Sequence, residues 1–469
     1  MIIRSFFTNS VGILTSRIFG FVRDLLSASV LGANIYSDIF FVAFKFPNLF
    51  RRIFAEGALT QSFIPSFTSS CNKSLFTYKT FVKFFLFIIV LSIIVTLFSR
   101  FFTSLLAFGF DSATIDIAAP LVAINFYYLP LIFCVTFLAS LLQYKNHFAT
   151  TAFSTALLNI ALIGALILSK NYEKMTIVYA MSYAVLVGGM LQLVTHFIAA
   201  RSRGLLKLFA YGFTCRHKKP PRLQIEEKHF LRSFSQAIIG NSTPQISAFL
   251  DTAIASFLSA GSISYLYYAN RIFQLPLALF AIALSVGIFP KIARYVKNGD
   301  EIQSTKMFKD GFWILFSLLS LASIGGIILS EEIVYLLFQR GAFDALDAQN
   351  TAGVLRMYLI GLLPFGLAKL FSLWLYASHK QKQAAKISLY ALGSNIIFYA
   401  LFIQSLGVMG LALASSAAGF VLLGFTLHSF GIKKFLDIML DQKLGYFMLA
   451  FVIYIPLLLW FKGFIHGYL

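Results

Sequence analysis

Charged side chains set inside long apolar runs are the groups in this sequence that could do chemistry. The first such run carries Ser16, Arg17, Arg23 and Asp24. The second carries Asp38, Lys45, Asn48, Arg51, Arg52 and Glu56, with Pro47 in its middle. Asp251, Asn270, Arg271, Arg356 and Lys369 lie in later runs. If these runs cross a membrane, each Arg at the bilayer centre costs about 2.5–3.5 kcal/mol on insertion scales, so it must face a partner or an aqueous cavity. In a straight helix Arg17 and Asp24 share a face, and Arg23 projects about 100° away. Asp38, Lys45, Asn48, Arg52 and Glu56 fall within one stripe about 80° wide. Across the runs holding these residues and Arg271, six cations (Arg17, Arg23, Lys45, Arg51, Arg52, Arg271) face three anions (Asp24, Asp38, Glu56). The excess predicts a cationic cavity completed by an anionic ligand. Guanidinium groups bind phosphate oxygens in planar pairs, and several together suit a diphosphate. The alternative is a set of ion pairs that only lock the helices, such as Arg52 with Glu56.

Asp251 sits in an otherwise apolar and small-residue stretch, and an intramembrane carboxylate reads as an ion or proton site. A hydrogen-bonded structural Asp is the alternative. Nothing supports soluble-type catalysis. There is no Walker A pattern, and no pair among the seven His has metal-ligand spacing. The expectation is a protein that is not an enzyme and has no cofactor, in which uphill transport draws on an ion gradient or the membrane potential. Cys71, Cys134 and Cys215 are scattered and read as free thiols.

The elements that must hold these groups follow from composition. Of 469 residues, 59% are hydrophobic and only 12% charged, against about 45–50% and about 25% in soluble domains. A soluble fold could not hide that much apolar surface, so the chain is an integral membrane protein. Thirteen segments are long enough to span: 5–30, 38–65, 81–107, 119–142, 149–168, 176–198, 230–258, 263–290, 311–338, 352–377, 387–404, 409–430 and 446–463. The first is no signal peptide, because it contains Arg17, Arg23 and Asp24. Counted loop by loop, 24 Lys and Arg fall on the side of the N-terminus and 5 on the other. That bias places the N-terminus in the cytoplasm. It also accounts for the net charge of +20 without nucleic-acid binding.

Shifting the chain against itself by 229 positions superposes Ser27 on Ser256, Gly32 on Gly261, Tyr36 on Tyr265 and Pro47 on Pro276. An offset of six spans preserves orientation, which fits a parallel repeat about an axis along the membrane normal. The expected fold class is therefore all-α: two six-helix lobes around a central cavity plus a C-terminal helix or helices, about 13–14 transmembrane helices in all. The expected boundaries are an N-terminal lobe at 1–200, a cytoplasmic linker at 201–228, a C-terminal lobe at 229–430 and an extra transmembrane segment at 431–469. A monomer suffices, since two lobes already enclose a cavity.

The stretches Ser16–Asp24 (SRIFGFVRD) and Asp38–Ala58 (DIFFVAFKFPNLFRRIFAEGA), followed by Gln61, Phe63 and Pro65, closely resemble the MurJ/MviN family. Tyr267-Tyr268-Ala269-Asn270-Arg271 with Gln274, Pro276 and Phe289-Pro290 continues the likeness. That family is the lipid II flippase of the multidrug/oligosaccharidyl-lipid/polysaccharide exporter superfamily. The resemblance implies transport of undecaprenyl-diphosphate-linked peptidoglycan precursor from the cytoplasmic to the periplasmic leaflet, by alternating access. It carries functional roles onto Arg17, Arg23, Asp38, Arg51 and Arg271, with Ser16, Asp24, Asn48 and Glu56 as supporting matches; Arg52, as second choice, and Lys369, from its place in an apolar run, stand beside them. It favours Arg51 over Arg52, and a kink at Pro47 would shift the helix phase accordingly. It further implies a cation site, for Na+ or H+, at Asp251 with Asn395 and Ser415. The sequence departs from the family at Tyr399, which replaces a second acid, and at Asn270, where Asp is frequent. The family has fourteen spans, the last two lining a groove for the lipid tail, whereas one span follows residue 430 here. Lipid II and membrane lipids are the implied partners, together with an association with the cell-wall synthesis machinery. Two other readings stand beside this one: an exporter of another polyprenyl-diphosphate-linked glycan, and a membrane-embedded polyprenyl-phosphate enzyme.

Overall fold

A computed structural model describes residues 2–51, 58–218, 220–441 and 443–466. Among them there are helices and connecting turns but no strand. Two compact units divide at Gly261–Ser262. The first contains α1 (Ile2–Leu31), α2 (Ile35–Phe50), α3 (Thr60–Ser69), α4 (Lys73–Leu97), α5 (Ser99–Leu106), α6 (Ser112–Phe126), α7 (Tyr128–Tyr144), α8 (Ala149–Ser169), α9 (Lys174–Ser202), α10 (Leu206–Thr214) and α11 (Pro221–Ala255). The second contains α12 (Ser262–Pro276), a π-helical turn at Leu277–Ile282, α13 (Ala283–Lys297), α14 (Glu301–Ile328), α15 (Ser330–Phe338), α16 (Ala345–Ile360), α17 (Leu362–Ala377), α18 (Gln381–Leu406), α19 (Val408–Phe430), α20 (Ile432–Met439) and α21 (Lys443–His466).

Ten segments among the described residues are long and apolar enough to cross a membrane. They match ten of the thirteen expected spans. The other three correspond to α1, α2 and α11, which carry Arg17, Arg23, Asp24, Asp38, Lys45 and Asp251. Arg271, Arg356 and Lys369 lie within the ten.

The internal repeat is written into local structure. Gly32 and Gly261 both adopt positive φ, 74° and 94°, and each precedes a helix with a proline near its end, α2 with Pro47 and α12 with Pro276. Short α5 and α15 follow long α4 and α14. Asp111 and Asp344 cap α6 and α16, accepting from Thr114 N–H at 3.2 Å and Asp347 N–H at 2.8 Å. Each capped helix is then interrupted, at Tyr127 and at Gly361, before it continues as α7 or α17. Short α10 and α20 close the two series, and α21 has no counterpart.

Phe-rich cores bind each unit. Phe63 is fully buried against Phe67, Phe76, Phe137 and Phe230, joining α3, α4, α7 and α11. In the second unit Phe308 and Phe371 meet Phe430 at 5.1 and 5.0 Å, joining α14, α17 and α19. Small residues let helices approach, as expected in lipid. A Cβ on Gly12 of α1 would stand 2.6 Å from Ala152 Cβ of α8. The stretch expected to be a polar linker is largely helical, forming α10 and the first turns of α11. Glu226 fastens α11 to the α3–α4 corner, accepting from Ser70 Oγ at 2.7 Å and Cys71 N–H at 3.2 Å.

Candidate functional site

The α1–α8 contact positions the first group. Arg23 is 6% exposed and Asp24 1%. Arg23 donates from Nε and Nη2 to one Asp24 carboxylate oxygen, at 3.0 and 2.6 Å, and from Nη1 to Asn159 Oδ1 of α8 at 3.0 Å. Asn159 Nδ2 in turn donates to the Ser16 carbonyl at 3.2 Å. A buried pair with its remaining donor satisfied is the geometry in which removing one partner is severe, about 3–5 kcal/mol. On a straight helical wheel Arg17 and Asp24 share a face and Arg23 projects about 100° away. In the structure Arg17 is exposed and makes no ion pair among the described residues, and the Arg23 side chain turns onto its own neighbour. Asn159 escaped notice in the sequence, although a lone amide within an apolar run was a signal.

Asp38 stands in the first turn of α2, where the helix N-terminus favours a negative charge. It is 2% exposed and accepts the Gly261 N–H at 2.7 Å, so it fastens the turn that follows α11. Asn34 caps the same helix end, accepting from Tyr36 N–H and exchanging hydrogen bonds with Ser37. Asp38 and Asp111 line a cavity of about 190 Å³ between the starts of α2 and α6 and the end of α11. Hydrogen bonds from Thr114, side chain first and backbone second, hold the Asp111 carboxyl below the ordinary carboxylate range.

Farther along α2, Lys45 donates to Thr252 Oγ1 of α11, a partner that sequence reasoning did not find. Asn48 Nδ2 donates to the Phe44 carbonyl of its own helix at 2.8 Å. Arg51 is half-buried where α2 ends, and it already has π geometry. The α geometry therefore ends at Phe50, three residues after Pro47. Arg52 and Glu56 lie outside the described residues. Asp251 is half-buried in α11, beside Thr252.

In the second unit Arg271 of α12 is half-buried, donating from Nη2 to Tyr267 Oη at 2.8 Å with its guanidinium 5.0 Å from the same ring. Tyr267 thus holds the cation by hydrogen bond and ring face together, a role visible in sequence only as the i, i+4 spacing. Arg356, the other in-span arginine here, is bound to Ser330 Oγ at 2.6 Å and Glu331 at 2.5 Å. Lys369 is exposed. Asn395 is buried and donates to Tyr399 Oη at 2.6 Å, while Ser415 is half-buried and the adjacent Ser416 binds backbone carbonyls of α16. No group of three or more His, Cys, Asp or Glu suited to a metal occurs among the described residues.

An all-helical, many-span chain with an internal repeat and guanidinium groups held at membrane depth is a multi-pass membrane transporter. A sequence model described as lipid II flippase MurJ matches residues 27–468, and the chain belongs to that family. A probable lipid II flippase MurJ of Helicobacter pylori is 47% identical over 455 residues, covering 95% of this chain and 98% of the relative. One from Buchnera aphidicola is 32% identical, covering 88% and 81%. A solved lipid II flippase MurJ in an inward closed conformation superposes with a TM-score of 0.78 at 27% identity, over 98% of both chains. An inward-facing multidrug resistance transporter of the MATE family, at 12% identity and TM-score 0.67, shares the fold.

Proposed function

We propose that this protein flips lipid II across the bacterial inner membrane and so supplies precursor for peptidoglycan synthesis. The observation that carries the reading is the family match over residues 27–468, joined to intramembrane arginines in chemistry suited to a diphosphate. The cytoplasmic N-terminus, read from the loop charges, makes the movement outward, from the cytoplasmic to the periplasmic leaflet. Arg51 and Arg271 draw in the diphosphate while the polyprenyl tail stays in lipid, Arg23 ties α1 to α8, and alternating access carries the headgroup across. Asp24 and Asn159 hold Arg23 in place, and Tyr267 does the same for Arg271.

A diphosphate leaving a negative interior is assisted by the membrane potential, worth about 2.3 kcal/mol per charge per 100 mV. In this reading a cation at Asp251, Na+ or H+, resets the carrier, and the working unit is a monomer beside the cell-wall synthesis machinery. Asp251→Ala with undiminished transport would remove the coupling ion from the scheme.

Complementation of a flippase-depleted bacterium, read as lipid II accessible at the outer leaflet, tests the proposal. Wild type should restore outer-leaflet lipid II, and Arg51→Ala and Arg271→Ala at matched expression should not. Failure of the inserted wild type would favour another polyprenyl-diphosphate glycan.

A further inference from the structure

We propose that α10 and its flanking turns form a docking site for the phosphate headgroups of anionic phospholipids in the adjacent leaflet. The membrane-crossing α9 ends at Ser202, the chain turns at Gly204 with φ of 69°, and α10 begins two residues later. The inner face of α10 packs on the first turns of α4. A Cβ on Gly212 would stand 2.4 Å from both the Ser74 carbonyl oxygen and Tyr78 Cβ. The Phe209 ring meets Phe81 at 5.2 Å. Because α4 begins at Lys73 and rises about 1.5 Å per residue, these contacts fix α10 at the level of the membrane surface.

What α10 turns outward is aromatic and cationic. Tyr211 is 70% exposed, and Phe213, edge-on to Tyr78 at 5.9 Å, is still 52% exposed. Arg201, Lys207, Arg216 and Lys218 are all exposed. The sequence from Arg201 to Gln224 contains no acidic residue, and none of these four cations makes an ion pair among the described residues. The Arg216 guanidinium lies over the Phe213 ring at 4.1 Å. A short helix with one face seated and the other offering rings and unpaired cations at headgroup depth has the chemistry of an acidic lipid surface. A soluble acidic partner would use the cations but would leave Tyr211 and Phe213 unexplained.

The inference stands apart from lipid II transport, and its test reads bound lipid only. Purified protein is equilibrated with mixed phosphatidylglycerol and phosphatidylcholine, and retained lipid is counted by native mass spectrometry. Wild type should retain phosphatidylglycerol preferentially. Arg201→Gln/Lys207→Gln/Arg216→Gln/Lys218→Gln should lower its apparent affinity at least about tenfold. The equal charge loss in Lys291→Gln/Arg294→Gln/Lys297→Gln/Lys306→Gln should leave it within about twofold. Inorganic phosphate at matched ionic strength should not displace the lipid. If the first variant fails to purify folded, Tyr211→Ser/Phe213→Ser decides, with retention falling severalfold. No preference for phosphatidylglycerol, equal loss in both charge variants, unchanged retention in the deciding variant, or displacement by inorganic phosphate would each overturn the proposal.

Discussion

α2 and α12 each follow a glycine at positive φ, Gly32 at 74° and Gly261 at 94°, and each carries a proline fifteen positions later. Both leave α geometry soon afterwards: Arg51 has π geometry at the end of α2, and Leu277–Ile282 form a π turn after Pro276. The same shift of 229 sets Tyr267 against Asp38 and Arg271 against Val42. In the first unit the acid fastens backbone, accepting the Gly261 N–H at 2.7 Å. In the second unit the tyrosine fastens a cation, accepting from Arg271 at 2.8 Å. The repeat supplies where the chain turns and breaks, and each unit then places its own polar groups on those breaks.

The sharpest way to break this comparison is at the arginines. Arg23 is enclosed with Asp24 and Asn159, whereas Arg271 is half-buried and donates to Tyr267. Asp24→Ala should strand a buried guanidinium and destabilise the protein by about 3–5 kcal/mol, with transport lost through folding. Arg271→Gln should abolish outer-leaflet delivery of lipid II while leaving the thermal midpoint near wild type. Thermal unfolding and flipping measured on the same preparations separate the two roles. Equal midpoints for both variants would mean that burial does not distinguish the two arginines.

The shared turns come next in size. Gly261→Ala forces a side chain into the left-handed region and should cost about 1–2 kcal/mol, with Gly32→Ala similar because the backbone is the same. Gly32→Asn should recover much of that, since Asn tolerates this conformation. Midpoints that fall for one glycine and not the other would show that the two turns are not equivalent. Gly261→Ala also shifts the N–H that Asp38 binds, so Asp38→Asn should add little in its background.

How much of this was legible follows from range. Spans and the turns of the repeat come from apolar runs and Gly/Pro positions, and the sequence carried them. Ten expected spans recur as apolar helices, and Gly32, Gly261, Pro47 and Pro276 mark the turns they were aligned on. Contacts between segments were not legible. Asn159 lies 136 residues from Arg23, and Thr252 lies 207 from Lys45, so no periodicity could pair them. The Arg23–Asp24 pair was hidden for a different reason: a wheel records where Cα–Cβ bonds point, and a long arginine can turn through the 100° between neighbours. Arg51 was preferred to Arg52 by resemblance; Arg51 has π geometry at the end of α2, and Arg52 lies outside the described residues.

Tyr267 sharpens the second half of the comparison. Tyr267→Phe removes the hydroxyl acceptor but keeps the ring face 5.0 Å from the guanidinium. The lost hydrogen bond, from a charged donor, is worth about 1.5–3 kcal/mol, so transport should fall about tenfold or more without being abolished. Tyr267→Ala removes both holds and should approach Arg271→Gln in a flipping assay. If the Phe variant already matches Arg271→Gln, the hydroxyl alone positions the cation.

The smallest effect sits on the paired helix caps. Asp111 accepts from Thr114 at the start of α6, and Asp344 accepts from Asp347 at the start of α16. The Asp347 side chain also accepts from Tyr265 Oη at 3.0 Å, a tie that the first cap lacks at Thr114. The Thr114 hydrogen bonds lower the Asp111 pKa in the folded protein, so folding favours the ionised carboxylate. That contribution is fully present above the ordinary carboxylate pKa of about 3.9 and is lost as pH falls through the lower folded value. The first turn of α6 should therefore lose amide protection below about pH 4, after correction for intrinsic exchange rates. Asp111→Asn keeps a capping oxygen but cannot titrate, so its protection should stay flat over the same range. Equal acid sensitivity in wild type and Asp111→Asn would place the titrating group elsewhere.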